Sequence, residues 1–517
     1  MPVTIFAISS VGLDGRMIQV EVDITPGMPM CTIVGLADTA VLEARERIRS
    51  AIKNSGYIFP PTRKTISLAP AHVPKHGPAF DLAMAVGLLA ASKQVPAPPA
   101  TTVLLGELSL DGAVRPIQGV IPLLLHAQKE HIKEVIVSFE NHREASLVQG
   151  LTIVPVKNLK DVVEYLNYGH LSPAFGAEVL DLHRIGNEEG GNVSAERKPV
   201  FEGIIGQARA KKALAIAAAG HHNMLVSGPP GIGKSLLARA ISNLLPPLPY
   251  DEFLEVASIH SLRGSHIFDD EYLKNQKRPV RYIHRTTTSK ALFGGTSDLL
   301  PGELSLAHHG VLVLDEISEF PRSLVESLRQ PIEDQSITIT RAAGSVTYPA
   351  KFLLFATTNP CPCGYFGDKK TKCRCSEKVV EHYQKRLSGP ILDRIDLKVT
   401  MESINHASII SERQANKNLA QELLLPAIIL RARQRQRDRY IGTPFTTNAD
   451  LTSKEISKFC PLSPEAIERL TRAAEKLHLS ARGIHRLIKL ARTIADMSDE
   501  IYTHLSAAHI IEALQYR

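Results

Sequence analysis

The sequence predicts an α/β chain of about three domains, centred on a parallel sheet that carries a phosphate-binding loop. Three observations predict it. Gly228–Ser235 is a glycine-rich loop set between a short apolar run and a helical one. Two further apolar runs, Gly310–Leu314 and Phe352–Thr358, deliver polar residues at their C-terminal ends. Residues 401–517 hold amphipathic segments and no strand-like runs. The length of 517 residues fits three domains of about 150 each.

Residues 1–171 read as α+β. Extended runs such as Met17–Ile24 and Val135–Phe139 alternate with amphipathic ones such as Asp38–Asn54, whose Val41, Ala44, Ile48, Ala51 and Ile52 fall at helical spacing. Residues 172–199 are poor in large apolar side chains and rich in Gly, Asn and Glu, which predicts a linker and flexible placement of the domain before it. From 200 to 400 short apolar strands alternate with helical segments, as in a parallel sheet. Residues 401–517 then form a helical domain.

Composition bounds the class. Hydrophobic residues make up 44% and charged residues 22%, ordinary for a globular protein. Lys and Arg total 60 against 53 Asp and Glu, a net charge of +7 that permits anionic partners without demanding one. The longest apolar run, around Leu82–Ala91, falls short of the 18 or so residues of a membrane span. Met1–Thr4 lacks the basic start of a secretory signal, so the expectation is a cytoplasmic protein without membrane partners. Four of six cysteines crowd between 361 and 375, which points to metal ligands in a reducing compartment and away from a disulfide framework.

The loop Gly228-Pro229-Pro230-Gly231-Ile232-Gly233-Lys234-Ser235, with Leu236 opening the helix, has the strand–loop–helix context of a P-loop. Its glycines let backbone N–H groups wrap phosphates, Lys234 reaches the β- and γ-phosphates of ATP, and the Ser235 hydroxyl ligates Mg²⁺. Asp315 and Glu316 follow a buried strand: Asp315 is placed to hold Mg²⁺ through water, and Glu316 to polarise the attacking water. Asn359, at the end of the third strand, can orient that water. In Ser388–Asp396, Arg394 is by itself a surface salt-bridge residue; in this order of motifs it fits an arginine finger entering a neighbouring subunit, which implies an oligomer.

Cys361-x-Cys363 and Cys373-x-Cys375 offer four thiolates for Zn²⁺, with unligated thiols or redox chemistry as the alternatives. Gln335–Tyr348 reads as a β-hairpin with Arg341 at its tip, either tracking a nucleic-acid backbone or solvated. Lys274, Lys277 and Arg278, with Arg281, form a second basic candidate. Arg431, Arg433, Arg435, Arg437 and Arg439 recur every two residues, which spreads them around a helix as either a DNA grip or a salt-bridged surface. Aromatics are 5% with no Trp, so backbone tracking fits better than base stacking.

The run of P-loop, Asp315-Glu316, Asn359, Arg394 and Ser480-Ala481-Arg482-Gly483 resembles AAA+ ATPases of the magnesium-chelatase-like branch. Pro301–Gly310, Leu328–Glu333 and Asn359–Gly364 are similar to the YifB/ComM group in particular. The resemblance covers nearly the whole chain. It implies an AAA+ P-loop core with a C-terminal helical lid, Arg482 as the sensor-2 arginine acting within its subunit or on a neighbour, and a hairpin pointing into a pore. It also implies a hexameric homo-oligomeric ring that moves on single-stranded or branched DNA, sequence-independently, and drives branch migration in recombination during natural transformation. Residues 67–92 and Leu105–Ile117 resemble the proteolytic domain of Lon. There the serine nucleophile and its lysine correspond to Ala79 and Ile121, so the resemblance implies a scaffold without proteolytic chemistry. The competing reading is a remodelling ATPase acting on protein or metal-insertion partners without DNA translocation; the chain has no acidic tract like that of chelatase partner subunits.

Overall fold

The computed structural model describes residues 2–36, 38–73, 75, 77–171, 200–264, 275–295, 299–341, 344–387, 389–403 and 419–517. The expected linker 172–199, Lys274 and Ser388 lie outside the described residues.

The first sheet is formed by β1 (Val3–Val11), β2 (Asp14–Thr25), β3 (Met30–Val34), β4 (Arg63–Ala69) and β5 (Thr102–Leu104). After a small antiparallel pair, β6 (Glu107–Leu108) and β7 (Val114–Arg115), it is completed by β8 (Glu134–Ser138) and β9 (Thr152–Val156). The spatial order is β3-β4-β2-β1-β5-β8-β9. Alternation along β2 buries Ile18, Val20 and Val22 and turns Gln19 and Glu21 away, the period of two that a pleat imposes. The helix Thr39–Asn54 starts where the Asp38 carboxylate accepts the Val41 N–H at 2.9 Å. Ala79 and Ile121 lie in one apolar cluster.

The second sheet is all parallel: β10 (Met224–Ser227), β11 (Val280–Ile283), β12 (Val311–Leu314), then, after the antiparallel hairpin β13 (Ser336–Arg341) and β14 (Gly344–Pro349), β15 (Leu353–Thr358) and β16 (Leu397–Thr400). Its order is β11-β12-β15-β10-β16. Both faces are covered, which is why these strands read as unbroken apolar runs. Val311, Val313, Leu353 and Phe355 feed one core with the helices Ala208–Gly220 and Lys234–Leu244; Leu312, Leu314, Leu354 and Ala356 feed the other.

The C-terminal helices, Leu419–Arg439, Ser453–Phe459, Pro464–Lys476, Ala481–Met497 and Ala507–Leu514, close over the first of these cores. Here the DNA-grip alternative gives way to contacts within the chain for four of the five arginines. Buried Arg433 donates to Ala218 O at 2.7 Å, Arg435 to Asp496 O and Ser498 O at 2.9 and 2.7 Å, and Arg431 and Arg439 pair with Asp499 and Asp496.

The expectation of flexible placement for the first domain is corrected. The helix Val120–Lys129 packs on Tyr250–Leu262, Ala257 is buried in the first domain's cluster, Gly119 N–H donates to Ser261 O at 3.1 Å, and Tyr250 OH donates to Leu147 O at 2.7 Å. Gly12, in the β1–β2 turn, sits at positive φ where a Cβ would fall 2.3 Å from Val346 of β14. Apolar burial and these hydrogen bonds hold the two units together.

Candidate nucleotide-binding site

The P-loop leaves the C-terminal end of β10, beside the ends of β15 and β12, the edge at which open parallel sheets present their ligand sites. Gly233, at φ +97°, turns the chain into the helix Lys234–Leu244 through a conformation that L side chains rarely adopt. The site is closed by hydrogen bonds among polar residues of three strand ends. Lys234 Nζ donates to Gly228 O, Pro229 O and Asn359 Oδ1 at 2.5, 2.9 and 2.8 Å. Burial lowers its pKa, while Asp315 and Glu316 oppose that shift.

Ser235 Oγ donates to Asp315 Oδ2 at 3.1 Å, and Thr357 Oγ1 donates to Asp315 Oδ1 at 2.5 Å. This hydroxyl and carboxylate converge as the hard oxygen donors that Mg²⁺ takes. Glu316 sits at φ +54°, a strained position for a glutamate. It is held by its N–H to Thr357 Oγ1 at 2.9 Å and by Asn359 Nδ2, which donates to Glu316 Oε1 at 3.3 Å. Sequence reasoning missed Thr357, although a polar residue ending an apolar strand was a signal for it.

Arg394 and Arg482 are elsewhere. Asn223, which precedes the first residue of β10, donates from Nδ2 to Arg394 O at 2.9 Å, and β10 and β16 start in register at Met224 and Leu397. Four residues of strand at about 3.3 Å each put roughly 13 Å between this edge and the P-loop. Arg482, in the first turn of Ala481–Met497, lies with Arg394 on the far edge. The four predicted catalytic residues therefore divide: Glu316 and Asn359 at one end of the sheet, Arg394 and Arg482 at the other.

The cysteines do come together. Sγ separations are 3.3 Å for Cys361–Cys363, 3.7 Å for Cys361–Cys373 and 3.6 Å for Cys363–Cys373, and all four sulfurs lie within 4.8 Å of one another. A tetrahedron with Zn–S near 2.3 Å needs S–S of about 3.8 Å, so the set fits zinc. The N–H groups of Phe366 and Cys375 donate to Cys361 and Cys373 at 3.3 and 3.4 Å. Backbone N–H groups of Arg374 and Tyr365 lower the Cys363 thiol to about 6. Gly364 brings this loop against the P-loop, since a Cβ there would lie 2.6 Å from Pro230.

Among the basic candidates, Arg278 is corrected. Its side chain is 4% exposed, pairs with Glu252 at 3.0 Å and donates to His309 O at 2.7 Å, so it braces the interior and is closed to a phosphate backbone. Lys277 is exposed, and exposed Arg341 donates from Nε to Gly295 O at 3.1 Å. A further cluster, Glu255, His308 and His309, escaped sequence reasoning, although the His pair lies within the segment Pro301–Gly310. Lys351 N–H donates to His308 Nδ1 at 3.1 Å, so His308 Nε2 carries hydrogen and donates to Glu255 Oε2 at 3.0 Å. With no lone pair left facing the carboxylate, this is a hydrogen-bonded brace between the foot of β12 and the helix Tyr250–Leu262. Among the described residues, no helix is long and apolar enough to cross a membrane.

Comparison with known proteins identifies the family. Residues 200–409 match the family model for magnesium chelatase, subunit ChlI; residues 20–141 match subunit ChlI of Mg-chelatase, and 425–517 its C-terminal model. Competence protein ComM of Haemophilus influenzae is 39% identical over 515 residues, 99% of this chain and 97% of that one. Uncharacterized protein YifB of Salmonella typhimurium is 38% identical over 510 residues, 98% and 96% of the two chains. Lon protease 2 of Bacillus subtilis is 28% identical over 166 residues, covering 29% of this chain and 30% of that protein. With a nucleotide cradle on a five-stranded parallel sheet and similarity along nearly its whole length, the chain belongs to the magnesium-chelatase-like AAA+ family of ComM and YifB.

Proposed function

We propose that the protein is a ring-forming, ATP-dependent DNA motor, a branch-migration helicase acting in homologous recombination during natural transformation. The observation that carries this reading is the division of its site. Lys234, Asp315, Glu316 and Asn359 occupy one edge of the sheet, and Arg394 and Arg482 the opposite one. In a subunit so built the arginines lie about a strand's length from its own phosphates, which supports a ring in which each pair meets the next subunit's nucleotide. The number six for that ring, and DNA as what passes through it, come from kinship; the word competence in the name of the Haemophilus relative supports DNA as substrate.

In this reading Gly228–Gly233 wraps the phosphates with main-chain N–H groups, and Lys234 leaves its loop carbonyls for the β- and γ-phosphates. Ser235 and Asp315 are the residues that would hold Mg²⁺, which supplies charge neutralisation on those phosphates when bound. Glu316 accepts hydrogen from the attacking water, and Asn359 fixes the direction of its carboxylate. Arg394 and Arg482 of the next subunit meet the charge that develops on the γ-phosphate. Residues 401–517 act as the lid, residues 1–171 as a docked scaffold, and the cysteine loop holds a structural zinc. Arg341 and Lys277, both exposed, are the candidates for backbone contact.

The test is ATP turnover alone and with single-stranded, duplex or four-way-junction DNA at low and moderate salt, with Glu316→Gln as the inactive control. DNA-stimulated turnover that weakens with salt, together with ATP-dependent resolution of labelled junctions, is the expected result. Turnover indifferent to every DNA would sink the DNA reading and leave protein or metal-insertion remodelling in its place.

A further inference from the structure

Arg394 and Arg482 converge on one acid. Glu333 Oε2 is paired with Arg394 Nη2, and Glu333 Oε1 accepts from Arg482 Nη2 at 2.7 Å. The three residues belong to three different elements: Glu333 to the helix Arg329–Asp334, Arg394 to the segment before β16, and Arg482 to the first turn of Ala481–Met497. One carboxylate oxygen serves each guanidinium, so the acid sets the spacing and facing of two cations that would otherwise repel. The two are unequally fixed. Arg394 is 12% exposed and also donates from Nη1 to Pro390 O at 2.7 Å, whereas Arg482 is 56% exposed and reaches Glu333 from the helical domain. Both border a cavity of about 430 Å³, which Arg486 and Lys489 also line.

We infer that Glu333 is a positioning residue that presents Arg394 and Arg482 as a single pair to the phosphates of a neighbouring subunit's nucleotide. The inference rests on the reading that both arginines act across the subunit border. Arg482 spends one nitrogen on Glu333, while Arg394 spends one on Glu333 and a second on Pro390 O; because a planar fork offers five N–H donors, each keeps N–H groups for an incoming anion. Without the carboxylate the arginines separate, and Arg482 loses its tie to the sheet edge. The nucleotide itself is gripped by the neighbour's P-loop, so its binding persists while the charge contact of the reacting state is lost. The effect therefore falls on kcat and not on KM.

Turnover of the full-length Glu333→Gln and Glu333→Asp variants, singly and in subunit mixtures, tests this. Glu333→Gln is expected to lower kcat on the order of 10²-fold with KM within about threefold. Glu333→Asp, which keeps the charge, recovers part of the loss. Mixed with Glu316→Gln subunits, Glu333→Gln subunits regain turnover, because they retain their own hydrolytic residues and receive intact arginines from the partner. The same mixture made with an Arg394→Ala/Arg482→Ala variant tests the underlying reading by itself: no recovery there means that the arginines do not act across subunits, whatever Glu333 does. Recovery with that double variant but not with Glu333→Gln overturns the role of Glu333. So does a loss carried by KM, or a Glu333→Gln kcat equal to or above that of the unaltered protein.

Discussion

Asn359 stands between the lysine and the acid of the nucleotide site: its Oδ1 accepts from Lys234 at 2.8 Å while its Nδ2 donates to Glu316 at 3.3 Å. One amide thus fixes the orientation of the carboxylate that faces water and registers the state of the P-loop lysine. These bonds also assign the amide, since only one placement of its oxygen and nitrogen satisfies both partners. Glu316 is held from the main-chain side as well, through Thr357, so neither its backbone nor its carboxylate is left to drift.

Glu316→Gln is therefore expected to keep nucleotide binding while turnover falls by about 10²–10⁴-fold, the usual worth of a positioned base. Lys234→Ala, which removes the phosphate contact itself, should lose binding. Asn359→Ala should lower turnover less than Glu316→Gln and leave binding near normal. Equilibrium binding of a fluorescent nucleotide beside steady-state turnover separates the three.

The cysteine loop should carry one zinc per chain, measurable by elemental analysis. Because Gly364 lies against Pro230, removal of the metal by a chelator, or Cys361→Ser, is expected to lower both the thermal midpoint and nucleotide affinity. Unchanged nucleotide binding after complete metal loss would break the proposed link between the two loops.

Arg278 and Arg341 should separate stability from nucleic-acid contact. Arg278→Ala leaves Glu252 buried without its partner, which costs about 3–5 kcal/mol, and the thermal midpoint should fall accordingly. Arg341→Ala should leave the midpoint nearly unchanged, weaken DNA binding similarly across sequences, and reduce its salt slope by about 1.

Glu144 makes the interface between the first domain and the core sensitive to pH. Burial raises its carboxyl to about 7, with Ser261 and Asn141 partly opposing the shift, and its Oε1 is buried without a hydrogen-bond partner. The folded chain thus binds the proton more tightly than the unfolded one, so this group's contribution to stability declines as pH rises from about 4.5 to about 7. Glu144→Gln should raise the unfolding free energy at pH 8 by on the order of 1–3 kcal/mol, seen as a higher thermal midpoint, with the gain vanishing near pH 4.5.

What the sequence determined is what short spacing encodes. Gly228–Ser235 between a strand and a helix, two acids after a buried strand, paired cysteines, and a hairpin from 336 to 349 were legible because glycine torsions, strand alternation and ligand spacing act over a few residues. Tertiary structure decided everything that depends on long separations. Glu333 meets Arg394 across 61 residues and Arg482 across 149, and no local pattern records either meeting. Spacing could not tell that Arg278 is buried against Glu252, or that Arg433, Arg435 and Arg439 are spent on neighbouring elements of the chain. A charged side chain reads the same in sequence whether it faces water or a carboxylate; only packing supplies its partner and thereby decides what it is free to do.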